Sequence, residues 1–205
     1  MRIESIEQTR SPQGKLRLRF EGGESMLVLP AVITELGLYA GLDVPEAGMD
    51  SLREQNAAAS AKNRAVRILS AAAVSKNELE HRLVQKGESP EHAAQAAEWL
   101  DSLRLLDDRA LAAQLVRSAA AKGYGEARVR QLLYAKRIPS EFWEEALAQM
   151  PDQSGAIDEF LSKRFRGKAP DRAECRRATD ALLRRGHRWQ DIQNALERYG
   201  VMPEE

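Results

Sequence analysis

The feature that most constrains this chain is a helix ending that recurs at spacings of 50 and 49 residues. Lys86-Gly87, Lys136-Arg137 and Arg185-Gly186 each carry the basic residue typical of a last helical turn, and two of the pairs supply a capping glycine. Apolar residues recur at matched offsets from these pairs: Leu83, Leu133 and Leu182; Ala97, Leu147 and Leu196; and Leu100, Met150 and Tyr199. This period predicts a repeat array, because one such unit is too small to bury a full core alone.

Helix-start signals divide each repeat into three helices. Ser75 and Glu78 form a capping box, and Ser89-Pro90 gives an N-cap followed by proline at the first helical position. Asp107-Asp108 is typical of an N-cap with a first-turn acid that the helix dipole favours. The predicted three-helix repeats cover residues 57–106, 107–151 and 152–200. We expect a tandem array of this kind to form an elongated body that can curve.

The first quarter of the chain differs in kind from the rest. Only 3 of the 31 alanines precede residue 57, whereas 6 of the 13 glycines precede residue 50. The alternation in Leu16-Arg17-Leu18-Arg19-Phe20 predicts a half-buried strand, and turn residues at 11–14 and 22–23 separate it from two further runs. We therefore predict a small β-meander with one short helix in front of a mainly α array. The predicted bounds are 1–42 for this β domain, 43–56 for a connector and 201–205 for a tail.

Composition limits where in the cell the protein is expected and which chemistry its residues can support. No run approaches the roughly 20 apolar residues that span a bilayer, and the acidic N-terminus does not read as a secretory signal. We therefore expect a cytoplasmic protein without a membrane partner, and we expect it to be a monomer. The single cysteine, Cys175, can form neither an internal disulfide nor a zinc site.

Candidate catalytic groups are few. His81, His92 and His187 are scattered along the chain, and a dyad of Cys175 with His187 lacks any supporting motif. The sequence therefore predicts that the protein is not an enzyme and that it has no catalytic residue, no metal-ligating residue and no cofactor. The tryptophans of the three repeats share no register position, which favours a role in core packing over stacking on nucleobases. Tyr124 and Tyr134 lie amid basic residues and are better candidates for stacking.

The net charge of zero hides two basic segments. Residues 122–137 hold five basic and one acidic side chain, and residues 160–190 hold ten basic and three acidic ones. These segments are interpreted either as solvated faces held by salt bridges or as surfaces for phosphates or an acidic protein groove. The candidate binding residues are Lys122, Arg128, Arg130, Lys136, Arg137, Arg176, Arg177, Arg184, Arg185 and Arg188.

Three runs of the chain resemble motifs of the RecX family. Leu103 to Ala112 (LRLLDDRALA) resembles its L-x-x-L-D-D-x-x-[FL]-A signature, although Leu111 stands where phenylalanine is usual. The run from Gly123 to Lys136 is similar to its G-x-G-x-x-[RK]-[IV]-x-x-x-L-x-x-K-G element, and Ser75 to Gly87 matches its first-repeat pattern. Arg137 replaces the glycine that usually follows Lys136, so we expect this helix end to be built differently.

The resemblance covers residues 57–200 and implies both a fold and a function. Members of the family have three three-helix repeats and regulate RecA in DNA recombination, repair and the SOS response. The resemblance implies a non-enzymatic protein that binds RecA and the RecA–single-stranded DNA filament and usually inhibits recombinase, ATPase and coprotease activity. The alternative hypothesis is a helical protein that binds duplex or single-stranded DNA independently of RecA.

Overall fold

The structure of the protein, a computed structural model, describes residues 1–11 and 14–200. Two residues of the predicted 11–14 turn and the predicted tail 201–205 lie outside the described residues. Contacts divide the chain into two units. Unit 1 comprises Met1–Ala73 and Leu79–Leu105, and unit 2 comprises Val74–Glu78 and the described residues from Leu106 onward.

Three strands and ten α-helices make up the described part of the chain, so the prediction of a mainly α fold behind a small β-meander is confirmed. The strands are β1 (Ile3–Gln8), β2 (Leu16–Phe20) and β3 (Ser25–Val28). The helices are α1 (Pro30–Glu35), α2 (Glu46–Ala71), α3 (Lys76–Gln85), α4 (Pro90–Ser102), α5 (Asp108–Ala121), α6 (Glu126–Ala135), α7 (Trp143–Leu147), α8 (Ser154–Phe165), α9 (Arg172–Arg184) and α10 (Trp189–Glu197). A short 3₁₀ turn, Ser140–Phe142, precedes α7.

The sheet of unit 1 follows the alternation of its sequence. The strands lie in the order β1-β2-β3 and are antiparallel, so that Ile6 and Met26 flank Leu18 on either side. Leu18 and Phe20 are buried, whereas the intervening arginine side chains of β2 are exposed. This pattern confirms the half-buried strand that the sequence predicts.

Helix α2 is longer than the sequence indicates, because it begins at Glu46, inside the segment predicted as a connector. Its first turns bury Met49 and Leu52 in the same core as the sheet. The Asn56 side chain fixes the helix to the end of β3, since its Oδ1 accepts from the Leu29 amide at 3.1 Å and its Nδ2 donates to the Leu27 carbonyl at 2.9 Å. The β-meander therefore packs on the first half of α2 within unit 1.

The second half of α2 packs against α4 through small residues. Ala61 and Ala65 of α2 are fully buried, as are Ala93 and Ala97 of α4. Alanine at these positions lets the two helices approach closely without leaving a void. Helix α4 begins as predicted, because the Ser89 side chain accepts from the His92 amide.

The three helix ends of the sequence repeat share one backbone geometry. Leu83, Leu133 and Leu182 are all fully buried, and each carbonyl accepts a hydrogen bond, at 3.1, 3.1 and 3.2 Å, from the amide five residues further on. The capping residue has a left-handed φ in all three, including +52° at Arg137. The expectation that Arg137 ends its helix differently is therefore wrong.

The strain at Arg137 is offset by contacts from the segment 74–78. The Arg137 guanidinium Nε lies 3.4 Å from a carboxylate oxygen of Glu78. The buried Ser75 hydroxyl lies 2.8 Å from the Lys136 carbonyl and 3.2 Å from the Arg137 carbonyl, so it can donate to the carbonyls at the end of α6. These contacts stabilise a backbone conformation that costs a non-glycine residue about 1 kcal/mol or more.

Within unit 2, the start of α6 meets the end of α9 backbone to backbone. The Gly125 amide donates to the Arg185 carbonyl at 2.9 Å, and the Ala127 amide donates to the Gly186 carbonyl at 3.2 Å. A Cβ on Gly125 would lie 2.3 Å from the Gly186 oxygen, and a Cβ on Gly186 would lie 2.2 Å from the Arg128 nitrogen. Close approach therefore requires glycine at both positions, and Gly186 also has a left-handed φ of +85° that favours glycine.

This contact gives a stability prediction. We expect Gly125→Ala to lower the free energy of unfolding by about 1–3 kcal/mol, because the added methyl group meets backbone atoms that cannot rotate away. Urea unfolding followed by circular dichroism measures the effect. Gly155→Ala is the matched control, since its Cβ meets nothing within 4 Å. An unchanged unfolding midpoint for Gly125→Ala would contradict the close contact.

Candidate interaction surface

The junction of α6 and α9 brings together cations from both basic segments of the sequence. Arg128 lies at the start of α6 and its backbone adjoins Gly186, beside Arg185 and Arg188. Arg185 also reaches the Gly123 turn, since a Cβ there would lie 3.7 Å from its Nη1. Residues some 60 positions apart in the chain are thus neighbours in unit 2.

Within the described residues, ion pairs engage three of the ten candidate cations. Arg130 donates from Nε to Glu126 at 3.0 Å and from its two terminal nitrogens, Nη1 and Nη2, to Glu144 at 2.8 and 3.2 Å. Arg188 pairs with the other oxygen of Glu126, and Arg137 pairs with Glu78. The hydrogen bond from Arg130 lowers the pKa of both Glu126 and Glu144, and Arg188 lowers that of Glu126 further. These carboxylates are therefore ionised at neutral pH and hold the arginines in place.

Two further candidates have uncharged partners. Arg128 donates to the Gln131 side chain at 2.9 Å, and the Arg185 guanidinium lies over the Phe160 ring, 5.0 Å from its centroid. A cation–π contact leaves the positive charge uncompensated. Within the described residues, Lys122 and Lys136 have no side-chain hydrogen bond or ion pair.

Helix α9 carries the remaining candidates, Arg176, Arg177 and Arg184. All three are exposed, and no acidic partner for them lies among residues 1–11 and 14–200. The opposite face of the helix buries Cys175, Ala178 and Leu182 in the core of the third repeat. The helix starts with a capping box between Asp171 and Glu174, so two of the few acids in this segment are engaged at its first turn. The third acid of the segment, Asp180, is exposed on the same helix three or four positions from each arginine but forms no ion pair with them in the described residues. The three arginines therefore leave this face with a net excess of two positive charges.

The structure also shows the surroundings of several other residues that the sequence analysis names. Asp107 caps α5 by accepting from the Ala110 amide, and Asp108 accepts from the Lys76 amide at 3.0 Å. Burial raises the pKa of the Cys175 thiol. Tyr124 packs on the core of the second repeat, whereas Tyr134 is 76% exposed. In the described ranges, no three His, Cys, Asp or Glu side chains are grouped so that they could hold a metal ion.

Sequence reasoning left salt bridges on the basic segments open but did not name the acidic partners of Arg130. The spacing of Glu126 and Arg130 is the i, i+4 spacing of a helical ion pair and could have indicated the first contact. Glu144 and Arg188 come from other helices, and no local pattern predicts their approach.

None of the helices in the described residues has the length and apolar content needed to cross a membrane.

Comparison with known proteins agrees with this architecture. Residues 107–147 match the family model described as RecX, second three-helix domain. The chain is 30% identical over 139 residues to the regulatory protein RecX of Chromohalobacter salexigens, across 67% of this chain and 91% of that protein. It is 32% identical over 139 residues to the regulatory protein RecX of Vibrio parahaemolyticus, across 67% of this chain and 90% of that protein.

Solved structures show the same fold. A crystal structure of regulatory protein RecX matches 96% of this chain and 98% of its own, with a TM-score of 0.68 and 21% identity. RecX from Lactobacillus salivarius matches 72% of this chain and 99% of its own, with a TM-score of 0.63 and 20% identity. Fold and surface thus define a helical-repeat protein with cationic faces. The chain belongs to the RecX family, whose matched members are named regulatory proteins.

The engaged and free arginines should respond differently to substitution. We expect Arg130→Glu to lower the free energy of unfolding by on the order of 1 kcal/mol, because it adds a third carboxylate beside Glu126 and Glu144. Arg128→Glu replaces an exposed cation bonded only to a neutral amide, so we expect a change within about 0.5 kcal/mol. Urea unfolding of the two variants compares them. Equal losses would show that the Arg130 pairs do not stabilise the fold.

His187 gives a pH dependence that can be measured separately. It is buried, and its Nε2 lies 3.1 Å from the Gly123 carbonyl. Burial lowers the pKa of His187 below 6.5, an effect that Arg185 increases and the hydrogen bond to Gly123 opposes. Below pH 6.5 the unfolded chain gains a proton that the folded chain does not accept, so stability is fully present above this pH and declines as pH falls towards the folded pKa.

We therefore expect the free energy of unfolding to fall between about pH 7.5 and pH 5.5, above the range where carboxylates titrate. His187→Gln should remove this part of the pH dependence, and His81→Gln, at a half-buried histidine of α3, should not. Urea unfolding at several pH values provides the measurement. An identical slope in wild type and His187→Gln would contradict the role of His187.

Proposed function

We propose that the protein is a non-enzymatic regulator that binds RecA and the RecA–single-stranded DNA filament and inhibits RecA activity. The cationic face of α9, whose arginines form no ion pair in the described residues, is the observation that carries this proposal. Its arginines are exposed whereas Cys175, Ala178 and Leu182 are buried, and no described acid forms an ion pair with them, so positive charge exceeds the single carboxylate of Asp180. Membership of a family whose matched members are named regulatory proteins supports a regulatory role.

The chemistry of this face fits a polyanionic partner. Guanidinium groups bind phosphate and carboxylate through paired hydrogen bonds, and exposed arginines gain these contacts without first breaking an ion pair. A filament repeats the same site many times, so several weak contacts along a helical-repeat protein can act together. The face can engage either the DNA phosphates of the filament or an acidic surface of RecA.

Direct DNA binding is the second candidate, and the same three arginines favour it. In that case the protein would bind naked DNA with an affinity that falls steeply with salt. The slope of log affinity against log salt concentration reports the number of phosphates neutralised, at about 0.7 to 0.9 for each contact. Titrations with naked DNA and with RecA-coated DNA therefore separate the two functions.

The test is co-sedimentation of the protein with RecA filaments, together with RecA strand exchange and ATPase assays. We expect wild type to bind filaments and slow both reactions. Replacing Arg176, Arg177 and Arg184 together by Glu should weaken filament binding by about tenfold or more, because three attractive contacts become repulsive. The helical circular-dichroism signal should be unchanged, since all three side chains are exposed.

A matched variant controls for net charge. Replacing Arg10, Arg17 and Arg67 together by Glu makes the same charge change at exposed positions of unit 1. It should bind filaments like wild type. If wild type has no effect on RecA at several-fold excess over filament sites, the proposed function is contradicted. If both triple variants lose filament binding equally, the role of α9 is contradicted.

A further inference from the structure

The exposed face of α6 carries an aromatic ring that contributes little to folding. Tyr134 is 76% exposed, the largest fraction among the exposed large apolar side chains of the described residues. No ring contact or hydrogen bond of its hydroxyl is found within the described part of the chain. Burial in unit 2 therefore does not explain why a large aromatic side chain occupies this position.

The side chains that could cover this ring are held elsewhere. On a helix, the neighbours of a residue lie three and four positions away, which for Tyr134 within α6 are Arg130 and Gln131; Arg137 and Ile138 follow the end of the helix. Arg130 binds Glu126 and Glu144, and Arg137 binds Glu78. Gln131 accepts from Arg128, and Ile138 is buried. Arg130, Gln131 and Arg137 are thus engaged with other side chains, and the ring of Tyr134 remains open to solvent.

The segment that carries the ring is cationic. Residues 122–137 and their ion-pair partners contain six cations and three carboxylates, so positive charge remains in excess. The other exposed residues of α6 are small or polar: Ala127, Arg128, Gln131 and Ala135. A protein-binding hot spot normally lies within a larger apolar patch, which this face lacks. An isolated open ring among cations is instead the combination that binds single-stranded nucleic acid.

We propose that Tyr134 is a stacking platform for an unpaired nucleobase, and that two cations of this segment without an ion pair in the described residues, Arg128 and Lys136, contact the phosphates of the same strand. The ligand is a single strand, because a base in a duplex is already stacked on both faces and cannot lie flat on the ring. Stacking does not read base identity, so the site is tolerant of sequence. This inference deepens the proposed function by naming the nucleic-acid component that α6 contacts, but its test requires no RecA.

The test is fluorescence anisotropy of a labelled oligothymidylate at low salt, with the full-length protein. We expect Tyr134→Ala to weaken binding by about tenfold, since one stacked base contributes roughly 1–3 kcal/mol. Tyr134→Trp, which keeps a flat aromatic surface, should retain the affinity. Tyr39→Ala is the matched control, because Tyr39 is 59% exposed and lies in unit 1. Circular dichroism checks that each variant is folded.

A second oligonucleotide, with the same phosphates but abasic sugars, isolates the stacking contact. Wild type should bind it about tenfold more weakly, and Tyr134→Ala should bind both oligonucleotides equally. Failure of wild type to bind the oligothymidylate, or equal binding by wild type and Tyr134→Ala, would overturn the inference. Loss of RecA-filament binding in Tyr134→Ala with unchanged oligonucleotide affinity would also overturn it, because the ring would then contact protein. In each of these cases filament binding by wild type still tests the proposed function separately.

Discussion

The structure of unit 2 depends on the way in which the ends of α6 are completed by residues distant in the chain. A helix leaves its first amides and last carbonyls without partners, and these groups are costly to bury unpaired. The end of α9 supplies carbonyls to the amides of Gly125 and Ala127, and Ser75 supplies a hydroxyl to the carbonyls of Lys136 and Arg137. Because the negative end of α9 meets the positive end of α6, the helix dipoles also attract.

These contacts explain why the repeat register is visible in the sequence. The recurring basic residue and cap mark the end of the second helix in each repeat, and two of these ends, Lys136-Arg137 and Arg185-Gly186, also serve as contact surfaces inside unit 2. A glycine is needed where two backbones touch, as at Gly125 and Gly186. Arginine takes the left-handed conformation at position 137, as it does at 104 and 166, and at 137 contacts with Glu78 and Ser75 stabilise this helix end.

Much of the fold could be predicted from local patterns, whereas the surface could not. Alternation identified β2, capping residues identified the starts of α4 and α5, and matched offsets identified buried leucines such as Leu133. The early start of α2 was missed, because the apolar side chains that it buries face a sheet rather than another helix. The long-range placement of residues decides which cations are engaged, and a count of charges along the sequence does not contain this information.

The division of the cations into those held in ion pairs and those without one has a functional consequence. Arg130, Arg137 and Arg188 hold elements of unit 2 together, so their charges are committed to the fold. The arginines of α9 remain available to a partner, and the ring of Tyr134 remains open to solvent. The proposed contacts with nucleic acid or RecA thus arise from side chains that the fold does not use.

Amide hydrogen exchange followed by NMR tests the helix-end contact most directly. The first amides of a helix normally exchange quickly, because they lack an acceptor. If α9 closes the start of α6, the amides of Gly125 and Ala127 should be protected to the same extent as the interior of α6. The amides of Gly155 and Ala156, at the start of α8 and without an acceptor among the described residues, should exchange quickly. Fast exchange at Gly125 and Ala127, equal to that at Gly155 and Ala156, would contradict this account of unit 2.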